Sequence, residues 1–340
     1  MSVYSPVKAR SVPFPSMTNA SSGVSRFHAM ADYPQGVRKT QAVVTLGITN
    51  QHYHRAGPWV FGEISLCLLR ETADPVNLSD AACYAVIVPC LPPRCQGIPS
   101  TSCGGLQVIG YEVVPGAKQS VHHVLLYPAD AALAQAADAK TPEVGWSCFG
   151  GPGIKTSSTI GGWVPGSPPT KYPTNTGITL PAGQVLVMQV HYDNHHGGAW
   201  TPDRTSVRLQ YSQTPVAKKA AILSVQNSTF LLPPGATNYS VVGNLTAPGD
   251  GYVYGLLPHA HQLGKRLRVE TADTCMIDIP AWDFNWQQFY FYENNQGMFV
   301  KKGTQLKLTC VYDNPTSTAV TWGESTTDEM CLNYFYTTGP

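Results

Sequence analysis

Charge is scarce in this chain: Asp, Glu, Lys and Arg make up 13% of its 340 residues, about half the share usual in soluble domains. What charge there is nearly cancels, 22 basic against 21 acidic residues for a net of +1. No electrostatic footprint for nucleic acid or for an anionic membrane surface is therefore present. No run approaches the roughly 18 apolar residues that span a bilayer, and the opening MSVYSPVKARSVPFP lacks the continuous apolar stretch of a signal peptide. The cysteines form no C-x-x-C pair, which removes zinc-ribbon and thioredoxin spacings. No Ser-His-Asp signature and no phosphate loop is visible.

Glycine and proline are plentiful, at 31 and 28 residues, and hydrophobic residues make up 43%. That mix excludes wholesale disorder and points to many short strands joined by turns. The length suits two domains of roughly 150 residues each. Nine cysteines are many for a reducing compartment. Cys83, Cys90, Cys95 and Cys103, separated by six, four and seven residues in a Pro-rich stretch, read as disulfide partners. The expected location is secreted or periplasmic, with any leader removed or lying outside this sequence. Sequons at Asn19, Asn77, Asn227, Asn238 and Asn244 fit that location, although a Ser/Thr-rich chain produces some by chance.

Residues 1–35 read as an N-terminal arm without periodicity. Beyond them strand patterns recur. In ITLPAGQVLVMQVHYDN, Val185, Val187, Gln189 and His191 share one face while Leu186, Met188 and Val190 share the other. SVRLQYSQTP aligns Val207, Leu209 and Tyr211. QLKLTCVYDN aligns Leu306, Leu308, Cys310 and Tyr312, and EMCLNYFY aligns Met330, Leu332, Tyr334 and Tyr336. AWDFNWQQFYFY alternates Trp282, Phe284 and Trp286 with polar residues. Only DAALAQAADAK (130–140) reads as helix, by its alanine content. The fold class is all-β, as two antiparallel sandwiches, residues 36–214 and 215–340, with the boundary near Thr214-Pro215.

The chemistry has to lie among ten histidines. In His259-Ala260-His261 the two imidazoles share a strand face and can reach one metal. His122 and His123 are adjacent, so on a strand they point to opposite faces, and a common metal requires a bulged or twisted backbone. His191 stands alone near the end of an apolar strand. Singly these are weak signals. His52-Tyr53-His54 is another H-x-H that reads as surface, His195-His196 lies in a turn pattern, and a lone histidine or methionine is ordinarily a packed residue.

The combination is more specific. SVHHVLLYPA, VLVMQVHYDN, PHAHQLGK and WGESTTDEMCLNYFY occur in that order. Over residues 105–340 the chain resembles the type II, ascorbate-dependent copper monooxygenases, the family of peptidylglycine α-hydroxylating monooxygenase and dopamine β-monooxygenase. The resemblance implies two jelly-roll-like sandwich domains with a cleft between them, and two uncoupled mononuclear coppers. His122, His123 and His191 would hold the electron-transfer copper, and His259, His261 and Met330 the oxygen-binding copper. Tyr334 matches a family position beside the second site. The implied activity is hydroxylation of a C–H bond of a small organic substrate, with O2 and ascorbate as electron donor. The donor chemistry agrees: two imidazoles with a thioether suit copper cycling between Cu(I) and Cu(II) better than zinc, while three imidazoles suit either metal.

The resemblance also implies a Cys310–Cys331 bridge. The first domain then holds Cys67, Cys83, Cys90, Cys95, Cys103 and Cys148, a number that pairs completely, and Cys275 is left as the odd thiol. The peptide enzyme grips a carboxylate with an arginine two residues before its H-x-H and an asparagine two residues after its methionine. Leu257 and Leu332 stand there in this chain, so a bidentate carboxylate clamp is missing and an apolar or amine-bearing small molecule is the expected substrate. Three other readings stay open at this level. They are a secreted copper-binding or storage protein without turnover, a zinc hydrolase using His122, His123, His191 and a water, and a sandwich binding module whose histidines are structural.

Overall fold

The structure is a computed structural model. It describes the strands at 44–47, 59–66 and 81–88, and residues 105–140, 145–148, 151–156, 158–181, 183–193, 203, 205–212, 215–284, 286–325 and 327–340. The arm at 1–35, the boundary residue Thr214, and Cys67, Cys90, Cys95 and Cys103 lie outside the described residues, as do His52, His54, His195 and His196. The described residues divide into two compact units, one within 44–163 and 169–217, the other formed by 164–168 and 218–340. Among them no helix is long and apolar enough to cross a membrane.

The first unit contains β1 (Val44–Gly47), β2 (Trp59–Leu66), β3 (Ala81–Val88), β4 (Leu106–Val114), β5 (Val121–Asp130), α1 (Ala131–Asp138), β6 (Trp146–Ser147), β7 (Gly161–Trp163), β8 (Thr170–Lys171), β9 (Thr176–Leu180), β10 (Gln184–Asp193) and β11 (Ser206–Ser212). One sheet runs β1-β2-β11-β4-β9, with β8 also on β4, and the other runs β6-β3-β10-β5-β7. All pairings are antiparallel. β10 is central in its sheet and is buried on both faces from Leu186 to Asp193. Its outer residues Val185 and Val187 are covered by α1 through Ala134 and Ala137, together with Trp146. The helix starts where Asp130 accepts hydrogen bonds from the N–H groups of Ala132 and Leu133, at 2.9 and 3.0 Å, a side-chain N-cap that satisfies two otherwise orphan donors.

The second unit contains β12 (Lys218–Asn227), β13 (Leu231–Leu232), β14 (Tyr239–Thr246), β15 (Gly251–His259), β16 (Gly264–Glu270), β17 (Cys275–Ile279), β18 (Tyr290–Phe291), β19 (Met298–Val300), β20 (Gln305–Tyr312), β21 (Val320–Thr321) and β22 (Cys331–Thr338). The order β12-β22-β15-β18, with β19 also on β15, faces β14-β20-β16-β17, and β13 pairs β21. β20 alternates as its pattern predicts: Leu306, Leu308, Cys310 and Tyr312 are buried, and Gln305 and Lys307 are exposed. Those four join Leu256, Leu267, Val269 and Phe335 in one core between the sheets. Both units are thus all-β sandwiches. The alternating aromatics of 281–292 do not form a long strand: only Tyr290–Phe291 pairs, with Leu256 and Gly255, because the preceding residues wrap the H-x-H segment.

Disulfides join Cys83 to Cys148 and Cys310 to Cys331, over sequence separations of 65 and 21, and Cys275 is an exposed free thiol. Chain entropy alone assigns these closures about 4 and about 3 kcal/mol. Alkylation of the native protein followed by peptide mapping is expected to modify Cys275 and leave these four cysteines unmodified. A Cys310→Ala/Cys331→Ala variant is expected to lose about 3 kcal/mol in urea unfolding. An unchanged midpoint would show that the bridge contributes nothing to stability.

Candidate metal centres

His122 and His123 open β5, where regular geometry would send them to opposite faces. A β-bulge removes that conflict. His191 of β10 pairs with His123, but the next residue, Tyr192, pairs with Val121, so the register passes over His122. An extra residue kinks the strand and re-aims its side chain, and the three rings gather with centroids 4.7–5.2 Å apart. Nδ1 of His123 lies 3.1 Å from Nδ1 of His122 and 3.3 Å from Nδ1 of His191. A metal about 2.0–2.1 Å from each nitrogen, at inter-ligand angles of about 90–110°, sets neighbouring nitrogens about 2.8–3.4 Å apart. The Nδ1 spacing therefore fits one ion held from the Nδ1 side.

A buried carboxylate secures this corner. Asp203 accepts from the N–H of Ala117 at 2.8 Å and from the hydroxyl of Tyr192 at 2.6 Å. Ala117 begins the turn into β5 and accepts at its carbonyl from Ser120 and Val121 N–H, while Tyr192 follows His191. One side chain thus ties together the two strands that carry the imidazoles.

His259 is the last residue of β15 and His261 lies just beyond it. Ala260 between them is fully buried in the core, leaving the two rings together on the other side, 5.2 Å apart at 83°. Here the Nδ1 atoms are occupied. His261 Nδ1 lies 3.0 Å from the carbonyl of Asp328, so that nitrogen carries the proton. His259 Nδ1 lies 2.5 Å from Oε1 of Gln287, and the amide orientation is set because Nε2 of Gln287 donates to the carbonyl of Phe284 at 2.6 Å. Both imidazoles therefore present Nε2, the reverse of the triad. Burial lowers the His261 pKa below the usual histidine range, which keeps the ring neutral and its lone pair available as a ligand.

Met330 is buried and follows Glu329, which is fully buried. Oε2 of Glu329 accepts from both the His261 N–H at 2.9 Å and the Met330 N–H at 3.2 Å, so the two backbones meet on one oxygen. The Met330 carbonyl accepts from the hydroxyl of Tyr312 at 2.6 Å, and Cys331 is bridged to Cys310 on the same strand as Tyr312. Burial raises the Glu329 pKa to about 7, against the opposing effect of the N–H groups of His261, Leu263 and Met330. On the outer side Trp282 Nε1 donates to the His261 carbonyl at 3.1 Å and the Phe284 ring meets His261 edge-on at 6.0 Å. Gly264 permits this approach, since a Cβ there would lie 2.8 Å from the Trp282 ring.

The pairing of β15 with β22 places Leu257 opposite Tyr334 and His259 opposite Leu332, so these four share a sheet face. Tyr334 is half-buried, and desolvation pushes its phenol up to about 12, with the Glu324 carboxylate adding to the rise. The hydroxyl stays protonated and can donate. Asp203, Gln287, Glu329 and Tyr312 carry no signal in the sequence reading: a lone acid or amide in a loop looks like solvated surface, and a strand tyrosine looks like core.

Family models agree with the ordered blocks. Residues 102–199 match copper type II ascorbate-dependent monooxygenase, N-terminal domain, and residues 222–338 match copper type II ascorbate-dependent monooxygenase, C-terminal domain. The chain belongs to this family. It is 27% identical over 244 residues to DBH-like monooxygenase protein 1 of Gallus gallus, covering 63% of this chain and 38% of that protein. It is 25% identical over 250 residues to tyramine beta-hydroxylase of Caenorhabditis briggsae, covering 66% and 40%. Dopamine beta-hydroxylase of Rattus norvegicus is 23% identical over 197 residues, covering 52% and 32%. The chain spans less than half the length of each of these relatives. The family implies copper and ascorbate, and the donors fit copper: one triad at ligand spacing, and one imidazole pair with Nε2 presented and a thioether residue tied to it by backbone.

Proposed function

We propose that the protein is a copper-dependent monooxygenase that hydroxylates a C–H bond of a small organic substrate with O2 and a reductant such as ascorbate. The proposal assigns one copper to His122, His123 and His191 in the 36–214 domain. It assigns a second, mononuclear and uncoupled, to His259, His261 and Met330 in the 215–340 domain. The observation that carries it is the contrast between the two ligand sets. Three imidazoles gathered at ligand spacing make a nitrogen site suited to passing electrons, while two imidazoles with Nδ1 engaged, tied through backbone to a methionine, make a softer three-donor site. Copper, when bound, supplies one-electron redox chemistry and the position where oxygen reacts. The chain's own residues fix the tautomers through Gln287 and the Asp328 carbonyl, keep His261 neutral, and hold the ligand strands.

Leu257, Leu332 and the protonated Tyr334 hydroxyl share the face that carries His259. Leu257 and Leu332 offer no guanidinium or amide to a carboxylate, so the substrate we infer is apolar or amine-bearing, in keeping with relatives named for tyramine and dopamine. The two disulfides support an extracytoplasmic location. Copper loading with EPR integration and oxygen-electrode assays tests this reading. Two non-interacting Cu(II) spins per chain and ascorbate-dependent oxygen uptake are expected. One spin or none on a fully loaded sample would overturn it, and two spins without uptake would make the protein a copper store.

A further inference from the structure

Glu329 belongs to neither ligand set, yet its carboxylate lies between the His261 and Met330 backbones of the second unit. The side chain is fully buried. Oε1 accepts from Leu263 N–H at 2.6 Å, and Oε2 accepts from His261 N–H at 2.9 Å and Met330 N–H at 3.2 Å. Its own main chain is equally constrained: its N–H donates to the Thr321 carbonyl at 3.0 Å and its carbonyl accepts from Gly323 at 3.2 Å. The 321–329 loop is thereby closed on itself, and the carboxylate projects from that closure onto the H-x-H segment.

We propose that Glu329 is a positioning residue, which sets the separation of His261 and Met330 by holding both backbones on one carboxylate oxygen. The inference rests on the reading that those two residues serve one metal. Its physical basis is a division of labour. Tyr312 and the Cys310–Cys331 bridge fasten the methionine segment to β20, in the opposite sheet. The H-x-H segment has passed the end of β15 at His259, so strand pairing no longer aligns it with Met330. Glu329 supplies that alignment. Its two oxygens accept all three of these N–H donors, whereas an amide in its place must turn an NH2 toward at least one of them. Residues that orient metal ligands in this way typically alter affinity or activity by about 10- to 100-fold when removed.

The test uses Glu329→Gln and Glu329→Ala in the full chain, with Met330→Ile as reference. In copper-free protein, amide hydrogen exchange at His261, Leu263 and Met330 is expected to accelerate in both variants. In Cu(I)-loaded protein, X-ray absorption is expected to show a sulfur shell in the unaltered chain that Met330→Ile abolishes. Glu329→Ala should weaken that shell and cut ascorbate-dependent oxygen uptake about 10- to 100-fold, while the histidine contribution of the triad persists. Glu329→Gln, keeping part of the acceptor set, should fall between. Should Glu329→Ala fail to fold, the exchange and sulfur measurements on Glu329→Gln decide. Unchanged exchange at all three amides, or an undiminished sulfur shell in a Glu329 variant when Met330→Ile has lost it, overturns the positioning role and leaves the ligand assignment intact. A sulfur shell that survives Met330→Ile overturns the assignment itself, and this inference with it.

Discussion

Met330→Ile is expected to lower ascorbate-dependent oxygen uptake by at least about 100-fold while one copper per chain stays bound with unaltered affinity. The magnitude follows from the role proposed for the side chain, since loss of groups that merely orient a ligand already costs about 10- to 100-fold. Isoleucine nearly conserves volume, and such swaps cost about 1.5 kcal/mol or less. The fold should survive, because what holds this segment is main chain and disulfide: the Tyr312 hydroxyl on the Met330 carbonyl, the Glu329 carboxylate on its N–H and the Cys310–Cys331 bridge. His259 and His261 keep their acceptors and still present Nε2, so they bind copper weakly. The preference for Cu(I) that a thioether confers is what disappears. Near-normal turnover by the folded variant would show that Met330 is only packing.

His191→Ala is expected to do the reverse. One of three imidazoles is lost from the triad, whose copper affinity should drop by more than about 100-fold, while copper at His259, His261 and Met330 remains. Oxygen uptake should again collapse, since electrons no longer arrive. His191 is 3% exposed and paired with His123 in the middle of its sheet, so truncation also leaves a cavity, and a stability loss of about 2 kcal/mol or more is anticipated. That loss separates the two variants: Met330→Ile should retain its melting temperature within a few degrees and His191→Ala should not. Copper titration of each variant, read by EPR, distinguishes selective loss of one site from general destabilisation. Equal loss of both coppers in His191→Ala would refute a separate triad site.

Much of this protein is legible in one dimension because its signals are local. The period-two burial of Gln305–Tyr312 is written in QLKLTCVY, and the alanine run after Asp130 forms the one described α-helix behind a side-chain cap. The candidate ligand histidines and methionine stand out once the four blocks are taken in order, and the free Cys275 follows from counting once the Cys310–Cys331 bridge is assumed. Patterns of alternating aromatics are less reliable guides. Trp282 and Phe284 alternate like strand residues, yet they pack around His261, since a buried imidazole and its carbonyl offered them better partners than a sheet edge.

Residue types and their spacing by themselves determined the all-β fold class, while the candidate ligands and the leucines at the arginine and asparagine positions came through the family the ordered blocks resemble. Tertiary structure alone decided which ring nitrogen each histidine presents. Tautomer depends on the acceptor facing the ring, and the acceptors are the carbonyl of Asp328 and the amide of Gln287, distant in sequence from the imidazoles they meet. It also decided that His122 and His123 point together, because a bulge is a property of the register between β5 and β10 and not of either strand. The buried carboxylates of Asp203 and Glu329 are the plainest case. An isolated acid in a loop reads as solvated until folding brings backbone N–H groups around it, and only then does its burial become affordable in free energy and structural in effect.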